Sequence, residues 1–375
     1  MNFEVSRLNM LAAAKTVARV APSGSYSDIL NGVLVECNAD SGEVYLTATN
    51  HAVSIQQKIR ASVEESGTVL INAKLLVAMM SKLDGEFVAF SADSPHVLNV
   101  VGARCKCVIN CLPSKSYPKP IIPFPEESVL MTGICTLSKK TTFAVSNDDS
   151  KPSLQCVQVK LKDNALHAAS CDGLKMMLVK DKAESSGERE LLLPGRSLQL
   201  LAAISQDDDM FEVGDIGSEV VFVRGDMIFA IRKISTDEYI DTSSVIQNIM
   251  PTYTAIANSD ELKEAINLIS VASLAGGEKE PINLIFANKE IRLQCNNNHN
   301  EASTSVSANV SENTSDAGFF YDVTALKKLF QVVSGKVKLE IDTRGYMLIK
   351  TPNEVYLQVP TRPKVKKVKS VNQVA

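Results

Sequence analysis

Apolar and polar residues alternate with a period of two through much of this chain, and the alternation recurs in blocks. Val157, Val159 and Leu161 are spaced by the polar Gln158 and Lys160, the pattern of an antiparallel strand with one buried and one wet face. Such blocks pair around small polar corners. DILNGVLVECNADSGEVYLTATN (28–50) reads as strand, turn, strand and ends at Asn50; SLQCVQVKLKDNALHAASCD (153–172) has the same layout and ends at Asp172; PINLIFANKEIRLQCN (281–296) has it again and ends at Asn296. The corners lie about 122 and 124 residues apart, close to one ordinary domain each.

Each hairpin is followed by a strand that runs into a short amphipathic helix: VLINAKLLVAMMSKL (69–83), LLLPGRSLQLLAAI (191–204) and FFYDVTALKKLFQVV (319–333). A further strand pair closes each block, ending in GARCKCVIN (102–110), GDMIFAIRK (225–233) and NEVYLQVP (353–360). A helix also opens each block. Ser6 is placed to cap RLNMLAAAKTVARVA, TLSKKTTFAV (136–145) opens the second block, and Asn258 with Glu261 forms a capping box before LKEAINLISVAS. Helix, strands, helix, strands, three times over, predicts an α+β fold in which sheets cover helix pairs. Pro-containing junctions at 112–127 and at Met250–Pro251 divide the chain into 1–125, 126–249 and 250–363, with a basic tail over 364–375.

Composition then narrows the class. With 375 residues, 45% hydrophobic and 22% charged, the chain has enough apolar material for two or three globular domains. Eight cysteines without a loop-rich framework, and an N-terminus without a signal-type apolar run, predict a protein of the reducing cytoplasm. No apolar run reaches the roughly 18–20 residues of a membrane helix; LLVAMM is bounded by Lys74 and Lys82.

A net charge of −4 says nothing by itself about a nucleic-acid partner, so the distribution of charge carries the weight. The predicted helices are mostly basic: Arg7, Lys15 and Arg19 on the first, Lys74 and Lys82 on the second, Lys139 and Lys140 on the third, Arg196 on the fourth, Lys327 and Lys328 on the last. The helix with Asp260, Glu261, Lys263 and Glu264 departs from this, and the acids gather in turns such as Asp207–Asp209 and at Glu126–Glu127. Basic helices on an acidic protein suit a polyanion on the helix side, although lysine also covers ordinary solvated helix faces. Lys15 and Arg19, four residues apart, are the best single pair for a DNA contact.

Taken in order, DILNGVLVEC, VYLTATNHAV, LPSKSYPKP, SCDGLKMML and YLQVPTRP resemble the bacterial DNA polymerase III beta subunit, the sliding clamp, over about residues 1–363. The resemblance implies three repeated clamp domains and a head-to-tail homodimer ring with helices lining the hole. It implies a non-enzymatic processivity factor that encircles double-stranded DNA without base readout, needs no cofactor, and tethers polymerase and clamp-loader subunits through short hydrophobic peptides. The family's peptide cleft maps by motif onto Lys151, Leu154, Cys171, Gly173, Leu174, Lys175, Met176, Ser244, Val245, Leu357, Val359, Pro360 and Arg362. The protomer contact maps onto Cys107 and Ile109 of the first block against Val271 and Ala272 of the third.

The chain also departs from the family. The family's His-Arg after Asp-Gly is Leu174-Lys175, an arginine beside the cleft is Ser244, an arginine after the first helix falls on Gly24, and a glutamine position reads Asp148. The protomer-contact residues are small, which implies a weaker ring. The tail KVKKVKSVNQVA leaves three readings: disorder, DNA contact, or obstruction of the cleft. These departures motivate a second reading, a clamp-like paralogue or phage-type relative with altered partners. An enzyme built on a repeated β scaffold finds little support. There is no Walker-type phosphate loop and no nucleophile elbow, and the four histidines lack partners at ligand or triad spacing. Cys105, Cys107 and Cys111 lack a C-x-x-C knuckle and read as buried thiols, not as a metal site. Asp207–Asp209 reads as a solvated turn, and the run at 296–300 as a hairpin corner.

Overall fold

A computed structural model of the protein describes residues 1–22, 28–122, 124–162, 164–182, 187–235, 239–273, 280–296, 301–311 and 315–362, the side chains of 315–317 excepted. Gly24, most of the 296–300 corner and the 364–375 tail lie outside the described residues. Strands predominate. Seven α-helices occur among the described residues: α1 (Arg7–Val17), α2 (Ala73–Lys82), α3 (Ile134–Thr141), α4 (Gly195–Ala202), α5 (Thr242–Gln247), α6 (Ser259–Ser273) and α7 (Val323–Leu329). The α+β expectation holds, with both predicted helices of each repeat present.

The chain packs as two compact units. The first comprises Met1–Ser138, Gln158–Leu166 and Lys182–Thr236; the second Lys139–Val157, His167–Asp181 and Asp237–Ala375. The middle repeat is thus shared between them, and sheet continuity is the cause. In the first unit an eight-stranded antiparallel sheet runs Val129–Met131, Phe211–Asp215, Glu219–Arg224, Met227–Arg232, Val53–Arg60, Glu43–Thr49, Gly32–Asn38, Gly67–Asn72. Its central seam pairs Phe229 with Ile55 and Ile231 with Val53, which binds strands of the middle repeat to those of the first. A smaller sheet runs Ser62–Glu65, Asn2–Ser6, Phe87–Ser94, Val97–Val101, Lys106–Asn110, so Lys106–Asn110 is a free edge. The Phe3 and Phe90 rings stack at 4.8 Å in its core.

The second unit repeats the device. Lys175–Val179 pairs with Glu354–Gln358 in antiparallel register, and the sheet continues through Met347–Lys350, Lys336–Ile341, Tyr253–Asn258, Glu301–Val310, Glu290–Asn296, Ile282–Ala287 and Ser315–Tyr321. α6 buries Leu262, Ala265, Ile266 and Ile269 beneath it, and α7 buries Leu326 and Leu329, the i, i+3, i+4 spacing of an amphipathic helix.

The linker after Asn110 is a strap across one face of the eight-stranded sheet. Tyr117 packs on Leu34 and Leu70, and its hydroxyl accepts the Thr49 N–H at 3.0 Å. Lys119 pairs with Glu36 at 2.7 Å, and Ile122 packs on Val221, Val223 and Ala230. The junction read from its prolines is a packed segment, not a loose tether.

Helix ends differ from expectation in detail. Ser6 occupies the N-cap position of α1, but its side chain makes no cap bond; the Arg7 N–H goes instead to the Glu86 carbonyl at 2.9 Å. α1 stops at Val17, so Arg19 lies in the turn beyond it, held by an N–H bond to the Thr16 carbonyl. Asn258 does cap α6, accepting the Asp260 N–H at 2.8 Å. The acidic turn 207–209 is more than a solvated bend: Asp207 accepts the Thr136 N–H at 2.7 Å in the first turn of α3, and Asp209 pairs with Arg224.

Candidate functional site

The corner that ends the second hairpin is built to hold one shape. The Asp172 carboxylate accepts the N–H groups of Leu174 and Lys175, each at 2.8 Å, and its other oxygen pairs with the Lys175 ammonium. Gly173 between them sits at φ +93°, a conformation open to glycine and costly for other residues. The turn throws Leu174 outward, 65% exposed. Met176 turns inward opposite Leu357. The Leu174 carbonyl accepts the Val359 N–H at 2.9 Å, which binds the corner to the end of the last strand.

Behind the corner lies an apolar cluster of Cys171, Met176, Ile249, Leu348 and Leu357, with Leu154, Leu178, Ile240, Ile246, Tyr346 and Val355 partly buried against it. The sequence-derived cleft residues Leu154, Cys171, Met176 and Leu357 therefore meet in one place, with Gly173, Leu174, Lys175 and Val359 forming the adjoining turn. Burial pushes the Cys171 thiol up, so it acts here as a small apolar side chain. Lys151, Ser244, Val245 and Arg362 are exposed and outside the cluster, and Pro360 is half-buried. Ser244 is committed elsewhere: with Ser243 it donates its N–H to Asp241, the N-cap of α5, and its hydroxyl also bonds that carboxylate at 2.5 Å.

Part of the cluster was missed by sequence reasoning. Ile246 on α5 and Ile249 just beyond its end both pack into the cluster, and the helix is too short for its periodicity to stand out. Arg344 forms a polar border, held by Asp342 at 2.8 Å, by the Asn248 carbonyl at 3.4 Å and over the Tyr346 ring at 4.6 Å. Partly buried apolar side chains beside a few placed polar groups suit a short peptide with hydrophobic anchors.

The candidate DNA-facing cations divide into two groups. Lys15, Arg19, Lys74, Lys82, Lys139, Arg196 and Lys328 are exposed. The others have structural work to do. Arg7 is half-buried and donates to the Gly85 carbonyl at 3.0 Å and to the Met80 carbonyl at 3.2 Å, closing the end of α2. Lys140 pairs with Glu354 at 3.0 Å and Asp181 at 3.3 Å. Burial alone would lower its pKa, but the two carboxylates outweigh that and raise it. Lys327 donates to the Ser270 hydroxyl at 3.1 Å. Arg7 and Lys140 are thus engaged inside the fold, Arg7 by two backbone carbonyls and Lys140 by two carboxylates.

The protomer-contact residues also divide. Val271 is 70% exposed on α6, next to Leu268 at 62%, and Ala272 is half-exposed. Ile109 points into its own core at 6%, Cys107 is half-exposed, and Val108 between them is 65% exposed. The cysteine reading needs correction as well: Cys105 is exposed and Cys111 half-exposed. Among the described residues no cluster of His, Cys, Asp or Glu is arranged to hold a metal ion, and no helix is long and apolar enough to cross a membrane.

Two domain models describing the N-terminal and central domains of the DNA polymerase III beta subunit match residues 1–121 and 132–246. The beta sliding clamp of Bacillus subtilis is 22% identical over 96% of this chain and 100% of its own length; that of Synechococcus elongatus is 26% identical over 61% of this chain and 64% of its own. Among solved structures, a DNA polymerase III beta subunit from Eubacterium rectale superposes with a TM-score of 0.88 at 18% identity, covering 96% of this chain and 99% of that one. The B. subtilis clamp superposes with a TM-score of 0.86 at 20% identity, with 96% and 99% covered. A Pseudomonas aeruginosa clamp bound to griselimycin gives 0.83 at 18%, again with 96% and 99% covered.

Proposed function

Because this chain belongs to the DNA polymerase III beta-subunit family, we propose that it closes with a second copy into a ring around duplex DNA and tethers a replicative polymerase there. It is a DNA sliding clamp, a non-catalytic subunit. The division into three clamp domains at 1–125, 126–249 and 250–363 draws support from the two matched domain spans. Cytoplasmic residence accords with the eight free thiols.

The observation that carries the DNA reading is the set of exposed cations on the helices, Lys15, Lys74, Lys82, Lys139, Arg196 and Lys328, with Arg19 just beyond α1, none of which has an ion pair among the described residues. Such cations meet phosphates without reading bases, so a ring can move along the duplex. Reversing both Lys15 and Arg19 to Glu weakens retention on closed circular DNA and lowers the salt slope by about one for each phosphate that the helix no longer neutralises. Unchanged retention would remove helix α1 from the DNA-facing surface.

The apolar cluster behind Asp172–Met176 is the partner-peptide cleft of this proposal. A short peptide with two hydrophobic anchors, the mode of the polymerase and loader subunits, binds there with micromolar affinity, and Met176→Glu abolishes it. Leu174 at 65% exposure and the commitment of Ser244 to Asp241 favour a second reading, a clamp-like relative with altered partners. Absence of binding by the wild-type cleft would select it.

A further inference from the structure

Two thiols on the free edge of the five-stranded sheet stand in contact. Cys105 Sγ and Cys107 Sγ are 3.6 Å apart. Cys107 lies in the edge strand opposite Val100, and Cys105 lies one residue before that strand, where its carbonyl accepts the Gly102 N–H at 2.8 Å to close the hairpin turn. Residues two apart in an extended segment project to the same side, so both sulfurs share the face that Ile109 continues inward. Cys105 is exposed and Cys107 half-exposed, unlike Cys37, Cys156, Cys171 and Cys295, which are buried. Arg104, 89% exposed and paired with Asp84 at 3.8 Å, and the exposed Lys106 flank Cys105, and the charge of Lys106, unpaired among the described residues, attracts an anionic oxidant.

We propose that Cys105 and Cys107 form a reversible thiol–disulfide pair, a modification site for a small disulfide such as oxidised glutathione. The Cys105 thiolate attacks one sulfur of the oxidant; the oxidant's S–S bond breaks and one glutathione leaves as thiolate and takes up a proton. The Cys107 thiolate then attacks the Cys105 sulfur, forming the internal bond and releasing the second glutathione. Two electrons pass from the protein to the oxidant, and two thiols of glutathione result. Closing the sulfurs from 3.6 Å to about 2.05 Å requires movement at Cys105, which stands outside the strand and is held there by one backbone hydrogen bond.

The consequence for assembly rests on the proposed ring. Cys107 lies on the edge strand where a second copy would join and Cys105 just before it, near the exposed Val108. Drawing Cys105 onto Cys107 tightens the start of that strand and weakens its pairing, so oxidation opens the ring and closure protects the thiols, as linkage requires.

The full-length protein is equilibrated in glutathione buffers of graded redox ratio, and its intact mass is read after alkylation. The expected product has lost two hydrogens and carries no glutathione. Cys111→Ser gives the same product; Cys105→Ser abolishes it; Cys107→Ser traps glutathione on Cys105. A stable glutathione adduct on the wild type, or an internal bridge that survives Cys107→Ser, overturns the pair. Sedimentation of reduced and oxidised protein then tests the consequence, with the dimer dissociation constant expected to rise about tenfold on oxidation. Equal constants overturn the coupling. A monomer in both states overturns the ring reading and the coupling together, while the mass result continues to stand for the thiol pair.

Discussion

Lys15 and Lys140 carry the same charge on the first helices of adjacent repeats, and periodicity treats them alike. Their surroundings separate them. Lys15 is exposed, whereas the Lys140 side chain is 18% exposed and lies between Glu354, 12% exposed, and Asp181. Removing one partner of a buried pair leaves the other desolvated and unmatched. Lys140→Met therefore costs about 2 kcal/mol of unfolding free energy in urea, while Lys15→Glu stays within about 0.5 kcal/mol and acts on DNA retention alone. Glu340 offers a test in pH. Burial pushes its carboxyl up, but Lys338 at 2.5 Å and Lys350 at 2.6 Å more than offset that and hold it below the usual carboxylate range. A carboxyl with a depressed folded pKa stabilises fully above its unfolded value, about 4.3, and loses that contribution as pH falls through the folded value. Glu340→Gln is thus less stable than wild type at pH 7, and the gap narrows below about pH 4. A gap that widens in acid would reverse the assignment.

At the scale of elements, the caps distinguish what a residue type promises from what geometry delivers. Asp322 accepts the N–H groups of Thr324 and Ala325 at 2.6 and 3.3 Å at the start of α7, so Asp322→Ala costs about 1 kcal/mol. Ser6 heads α1 with no cap bond, so Ser6→Ala changes thermal stability by less than about 0.5 kcal/mol. The hairpins and both helices of each repeat were legible in the sequence because a period of two and a period of 3.6 survive without tertiary context. Asn50 and Asp172 marked their corners correctly, whereas the Asp172–Met176 turn entered as a candidate site through the family resemblance and not through any local pattern. α5 was not legible, since six residues contain less than two helical turns. Nor was the tie between Lys140 and Glu354, 214 positions apart, because no local pattern records a long-range ion pair. The contact of Cys105 with Cys107 was readable as a shared strand face, but its exposure depends on the strand lying at the sheet's free edge.

For the molecule as a whole, strand pairing across repeat boundaries is the recurring joint. Met227–Arg232 pairs with Val53–Arg60, and Lys175–Val179 pairs with Glu354–Gln358. Among the described residues Lys106–Asn110 ends the five-stranded sheet without a further strand partner, and an open edge invites pairing with another chain. The proposed ring uses that edge as its third joint, closed head to tail by a second copy. The small side chains there, Cys107 and Val108 on the edge and Val271 and Ala272 on α6, predict a looser closure than a seam of large apolar residues would give. The direct test is the solution mass by light scattering over a dilution series of the reduced protein. The account predicts twice the chain's 40.6 kDa at micromolar concentration, falling toward one chain on dilution; a monomer at every concentration would contradict it.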